Sequence, residues 1–156
     1  MRVLVTGANG LIGANLIREL LISGHQVRAL VRPDSDVSSL NGLDIEKVSG
    51  DVLHVDSLNG VAQGCDVIFH CAAMFSYWEM NARDLEILAV DGTRNVINAA
   101  YASGVARIVL TSSSVVLGST SRPLVLDEEH CLDEHDNAPY ASAQARLSWA
   151  QLLKRV

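Results

Sequence analysis

The chain has 156 residues, enough for one domain with a sizeable buried core. Its apolar content of 49% suits a sheet covered on both faces, and no apolar run is long enough to span a membrane. A formal charge of −6 with only 12 scattered Lys and Arg argues against a nucleic-acid surface, and three cysteines without ligand spacing (Cys65, Cys71, Cys131) read as buried reduced thiols rather than a metal site.

The first element is the run Val3 to Thr6, which leads into glycines at 7, 10 and 13. A helical period follows, with Ile12, Leu16, Ile17, Leu20 and Leu21 expected on one face. Strand, tight turn and helix in this order suit an anion at the helix start. Gly7 permits a sharp turn, Gly10 carries no Cβ to hold a diphosphate away, and Gly13 allows close packing of helix on strand. Asn9, Gly10, Leu11, Ile12 and Gly13 then supply the backbone around the bound group, aided by the helix dipole. A glycine-rich turn alone is weak evidence, because such turns occur in many folds. Its place between a strand and a helix, at the head of alternating elements, is what favours dinucleotide binding.

Ser23-Gly24-His25 ends the helix, and Gln26 to Val31 reads as the second strand, stopped by Arg32-Pro33-Asp34. In a dinucleotide site this strand tip meets the adenosine ribose, with an acid for a 2′-hydroxyl or an arginine for a 2′-phosphate. The residue here is Arg32, so the expected cofactor is NADP, with NAD as the alternative.

The spacing Thr6-Gly7-x-x-Gly10-x-x-Gly13 resembles the extended short-chain dehydrogenase/reductase superfamily, which includes nucleotide-sugar epimerases, dehydratases and dihydroflavonol-reductase-like enzymes. The resemblance runs through essentially the whole chain and corresponds to the family's amino-terminal portion. It implies a doubly wound, parallel Rossmann-type α/β sheet of about five strands with helices on both faces.

Residues 38–40 suggest a short helical turn, and Ile45 to Ser49 a third strand that empties into Gly50-Asp51-Val52. The resemblance implies that Asp51 and Val52 flank the adenine, although Asp51 alone could be an ordinary turn acid. Ser57 reads as the N-cap of a short helix. Asp66 to Cys71 forms the fourth strand, and with Ala72 and Ala73 it resembles the family's Asp-x-x-x-His-x-Ala-Ala signature, which implies close approach of backbone to the cofactor at the two alanines. His70, inside an apolar strand, is expected to be a hydrogen-bonded packing residue and not a base. The aromatic loop Met74 to Met80 either covers a substrate or seals the core.

An amphipathic helix is expected from Arg83 to Ser103, ending at Gly104. Its stretch Val90 to Val96 resembles the family's Asn-Val-x-Gly-Thr-x-Asn, but Ala89 stands where the first Asn belongs, which weakens the implied proton relay. Arg107 to Ser112 is the fifth strand. Just beyond it Ser113 matches the hydroxyl that the resemblance assigns to the reacting oxygen. The long connection from Gly118 to Pro139 carries Asp127, Glu128, Glu129, Asp133, Glu134 and Asp136, most simply a solvated face.

Tyr140 opens the last helix, where the family motif is Tyr-x-x-x-Lys. Here Gln144 replaces the lysine. A free phenol is only about 0.1% ionised at pH 7, and a nearby cation can lower its pKa by ~1 to 3 units. Gln144 provides no such charge, so carbonyl reduction with neutral Tyr140 as acid should suffer less than alcohol oxidation. The expected function is therefore hydride transfer between NADP(H) and a carbonyl or alcohol carbon of a small molecule or nucleotide sugar, with Tyr140, Ser113 and Gln144 at the reacting centre. A non-catalytic dinucleotide-binding sensor is the alternative. The family's substrate-binding region is missing from residues 1–156, which suggests a fragment or a naturally short relative. A cytoplasmic location and a homodimer complete the expectations.

Overall fold

The computed structural model describes residues 1–73, 82–113, 125 and 127. Residues 1–73 and 93–111 form one compact unit, and residues 74–92 and 112–156 a second.

In the first unit, five parallel strands stand in the order β3-β2-β1-β4-β5, with β1 at Arg2–Thr6, β2 at Gln26–Val31, β3 at Glu46–Ser49, β4 at Val67–His70 and β5 at Arg107–Leu110. This is the doubly wound order, reversing between β1 and β4. Strand periodicity divides the core. Val3, Val5, Val27 and Ala29 face helix α1 (Leu11–Ile22) through Ala14, Ile17 and Leu20, with Leu40 completing the cluster. On the alternate positions, Leu4, Leu30 and Ile68 meet Leu58, Val61, Val96 and Ala99 around one narrow apolar gap. Helix α3 (Thr93–Ala102) packs there on β4 and on the 3₁₀ turn Val55–Leu58.

Arg28 lies on this second face and is buried, although no local pattern foretells a charge within the sheet. Its Nε donates to Glu46 Oε2 at 2.9 Å, and its Nη1 donates to the carbonyls of Val61 and Gln63 at 2.7 and 3.0 Å. The cation thus gives a donor to the buried Val61 carbonyl and to the part-buried Gln63 carbonyl beside it. In return Arg28 holds the Glu46 carboxyl below its ordinary range.

Several local expectations need correction. Ile12 is 57% exposed, while the buried face of α1 is Gly13, Ala14, Ile17 and Leu20. The reason is steric: a Cβ on Gly13 would overlap the Gly7 carbonyl oxygen, so the smallest residues take the inner face and Ile12 is turned out. Ser57 is not an N-cap. It lies within the 3₁₀ turn Val55–Leu58, whose N-cap is His54, and its hydroxyl donates to the carbonyls of Asp51 and His54 and accepts from the Asp51 amide. Cys65 is buried, but Cys71 is only partly covered and accepts a bond from Thr111 Oγ1 at 3.3 Å; Cys131 lies outside the described residues.

The helix expected over 83–103 is divided. It consists of α2 (Ala82–Glu86), a π-helical turn Ile87–Gly92 and α3. Gly92, a poor helix former, stands at the second junction. Helix α2 and the π-helical turn belong to the second unit, together with Ser112 and Ser113. Among the described residues no helix is long and apolar enough to cross a membrane.

Candidate functional site

The carboxyl ends of β1 to β4 bring together most of the residues singled out in the sequence. Gly7, with φ +64°, turns the chain out of β1 in a conformation that L side chains avoid. A Cβ here would lie 2.7 Å from the Cys71 carbonyl and the Ala72 nitrogen, so the turn is seated on the exit of β4. The Gly10 amide then donates to the Gly7 carbonyl at 3.1 Å, and Ala14 N to Gly10 O at 2.9 Å closes the first turn of α1.

That helix start has an open, electropositive character. Gly10 is the N-cap and provides no side-chain acceptor, and the first turn carries no acid. The amides of Leu11, Ile12 and Gly13 therefore begin the helix without a side-chain cap, at the positive end of its dipole. A Cβ on Gly10 would meet only the Gly7 carbonyl oxygen, at 3.3 Å, with nothing else nearby. Bare donors, absent Cβ atoms and open space fit the diphosphate of a dinucleotide. The fit comes from backbone, and the neighbouring Leu11 and Ile12 side chains are exposed.

The Asn9 side chain turns toward the segment after β2, donating to the Asp36 carbonyl at 2.8 Å. At the root of that segment Arg32 is exposed and makes no ion pair with any described residue. Past β3, Asp51 Oδ1 accepts from the Leu53 amide at 2.9 Å, and Oδ2 lies 3.6 Å from His54 Nδ1. The acid thus shapes its own turn. Val52 is 6% exposed, so its side chain belongs to the core, and its carbonyl accepts from Asn95 Nδ2 at 2.9 Å.

Beneath the glycine turn lies a buried polar chain. In register across the β1–β4 pair, Thr6 faces His70. Thr6 Oγ1 is 2.6 Å from His70 Nδ1, and His70 Nε2 is 3.1 Å from Thr93 Oγ1. The Ala72 amide also donates to Thr6 Oγ1, at 3.3 Å. The neutral ring has one donor and one acceptor nitrogen, and each hydroxyl can take either role, so the two threonines satisfy both ring nitrogens. Burial holds the imidazole neutral and pushes its pKa down to about 4. His70 is accordingly a satisfied core residue, as the apolar strand around it suggested. Thr6 and Thr93 entered the sequence reading only as letters of their motifs, without a role, although a threonine at an inward strand position, as Thr6 is, needs a partner.

Ala72 is half-buried and Ala73 exposed at the exit of β4. Ser113 follows β5 in the second unit and is half-buried. Tyr140, Gln144, the aromatic loop 74–80 and the acidic connection, apart from Val125 and Asp127, lie outside the described residues. Among the described residues no group of three His, Cys, Asp or Glu side chains could hold a metal ion.

A parallel sheet that reverses beside a glycine turn, with bare helix amides at the reversal, defines a dinucleotide-binding α/β protein of the doubly wound type. More narrowly, the chain belongs to the NAD dependent epimerase/dehydratase family, whose model matches residues 3–153. A Synechocystis sp. protein provisionally named dihydroflavonol 4-reductase is 39% identical over 153 residues, covering 94% of this chain and 44% of its own length. Cinnamoyl-CoA reductase 1 of Oryza sativa is 38% identical over 143 residues, covering 86% of this chain and 41% of its own. The solved dTDP-glucose 4,6-dehydratase of Streptomyces venezuelae, with NAD and TYD bound, superposes with a TM-score of 0.82 at 29% identity, over 93% of this chain and 48% of that one. The chain thus spans less than half the length of these relatives.

Proposed function

We propose that residues 1–156 are the NADP(H)-binding domain of an oxidoreductase that reduces a carbonyl carbon of a small molecule or nucleotide sugar, with the substrate-binding region outside them. The observation that carries this reading is the bare helix start behind Gly7 and Gly10, built for a diphosphate. Two relatives bearing reductase names support the direction, and the dehydratase solved with NAD supports the cofactor class. A dinucleotide held there by its diphosphate would supply hydride from its nicotinamide to the carbonyl carbon.

On this reading the amides of Leu11, Ile12 and Gly13 hold the diphosphate and Arg32 holds a 2′-phosphate through charge-assisted bonds. Asp51 borders the adenine more than Val52 does, because the Val52 side chain is buried. Ala72 and Ala73 leave room for the nicotinamide ribose, Ser113 donates to the reacting oxygen, and Tyr140 delivers its proton to that oxygen as the carbon is reduced. Gln144 can bond a ribose hydroxyl but leaves the phenol neutral, which suits a proton donor.

The test is a titration of residues 1–156 with NADPH and NADH by nicotinamide fluorescence, followed by NADPH oxidation with a panel of small carbonyls by the protein that carries the substrate-binding region as well. Saturable binding that favours NADPH, with turnover abolished by Tyr140→Phe, is expected. An absence of saturable binding would sink the whole reading. Tight binding without turnover, unchanged by Gln144→Lys, would instead assign the chain to a non-catalytic sensor.

A further inference from the structure

The segment after β2 is held against the glycine turn by a set of bonds that no cofactor contact requires. Asp34 takes a left-handed conformation (φ +58°), and Ser35 folds back so that both its amide and its hydroxyl donate to the Arg32 carbonyl, at 3.3 and 2.7 Å. Asp36 then accepts from the amide and hydroxyl of Ser38 at 2.8 and 2.9 Å, starting the 3₁₀ turn Ser38–Leu40, and Leu40 is fully buried in the core of the α1 face. Three further bonds tie the segment down, two to the β1–α1 connection at Asn9 and one to helix α1 at Arg18. Asn9 Nδ2 donates to Asp36 O at 2.8 Å, Ser39 Oγ donates to Asn9 O at 2.9 Å, and Arg18 Nη2 donates to Ser39 O at 2.8 Å while its Nη1 is fixed on Ala14 O at 2.7 Å.

We infer that Ser39 and Arg18 are positioning residues for dinucleotide selectivity: they clamp the loop rooted at Arg32 to the glycine turn and so fix the spacing between the cation and the diphosphate amides. The inference rests on the reading of Arg32 as the 2′-phosphate partner. Its physical basis is that NADP and NAD share every group except that phosphate, so the advantage of NADP depends on one cation being held in place relative to the diphosphate. A loop free to drift keeps the shared contacts and loses the extra one. Ser39 is uncharged, so any effect of its removal on selectivity cannot come from a lost field at the phosphate.

The experiment measures dissociation constants for NADPH and NADH by fluorescence on the full chain and on Ser39→Ala, Arg18→Met, Ser39→Thr and Arg32→Ala, with backbone amide exchange over residues 33–40 as a second readout. Losing one clamp bond is expected to lower the NADPH preference roughly threefold to tenfold, the range of a single hydrogen bond, while NADH affinity stays within about twofold. Exchange over 35–40 should quicken in Ser39→Ala and Arg18→Met, and Ser39→Thr, which keeps the hydroxyl, should restore both readouts. If Arg32→Ala abolishes the preference but Ser39→Ala and Arg18→Met leave it intact, the clamp inference is overturned and the reading of Arg32 stands. Equal weakening of both dinucleotides in the clamp variants also overturns it. If the parent chain shows no preference and Arg32→Ala changes nothing, the NADP reading itself fails, and the role of the clamp in selectivity fails with it.

Discussion

Mild acid should destabilise this protein through a single buried imidazole. His70 is 2% exposed and bonded at both ring nitrogens, and its pKa falls from 6.5 to about 4 because burial penalises the charged form. Between those two pH values the unfolded chain binds a proton that the folded chain refuses, so stability is complete above pH 6.5 and drains away as pH falls toward 4. At about 1.4 kcal/mol per pH unit, the loss amounts to roughly 2 kcal/mol by pH 5 and roughly 3 kcal/mol by pH 4. The interval from 7 to 5 is diagnostic because the Asp36 and Glu46 carboxyls, both held below their ordinary values, stay ionised throughout it. The assay is urea unfolding at several pH values for the parent and for His70→Gln. The variant starts less stable, since an amide cannot reach both Thr6 and Thr93, but its stability should change less across this range by about 2 kcal/mol. Identical pH slopes in the two proteins would refute the assignment of a neutral, doubly bonded His70.

Gly10→Ala should fold normally and bind a dinucleotide at least about tenfold more weakly, because among the described residues its Cβ meets one oxygen, that of Gly7, while it would intrude on the diphosphate in the proposed mode of binding. Gly13→Ala should instead lose about 1 to 3 kcal/mol in urea unfolding, since its Cβ would run into the backbone of Gly7 and Ala8. Arg28→Met should lose about 2 to 3 kcal/mol by the same assay, with the carbonyls of Val61 and Gln63 left without their donor. Gln144→Lys should speed alcohol oxidation at pH 7 by about tenfold or more while changing carbonyl reduction less, which steady-state rates in the two directions would show.

The fold was legible because two periods are plain in the sequence. Apolar strands and an apolar helix stripe alternate, and the glycines mark where one passes into the other. Residues 26–31 and 107–112 were placed in strands for that reason, and the second of these strands ends two residues early, at Leu110. Ile12 misled because hydrophobicity alone does not reveal that Gly13 and Ala14 must occupy the inner face, a demand set by the Gly7 carbonyl from the preceding turn. Arg28 was illegible for a related reason. Its burial depends on carbonyls at 61 and 63, a distance along the chain that no local pattern reports. The division of the helix at Ile87–Gly92 likewise escaped a window that sums propensity, in which one glycine weighs little. At the site, the glycines and Arg32 announced themselves by type and place. The clamp did not, because serine and arginine beside a turn are ordinary surface residues until their partners are known.

Strand β1 has Val3 beside Val27 on one flank and Val67 on the other, so the earliest of the five strands in the chain becomes the middle of the sheet. It can pair with β2 early, but its second edge stays open until β4 has been made. During that interval a hydrophobic strand with a row of unsatisfied amides and carbonyls is exposed to other chains, and nascent copies are then most prone to aggregate. For the same reason, a deletion within residues 2–6 would not trim a border; it would take out the seam on which both halves of the sheet are joined.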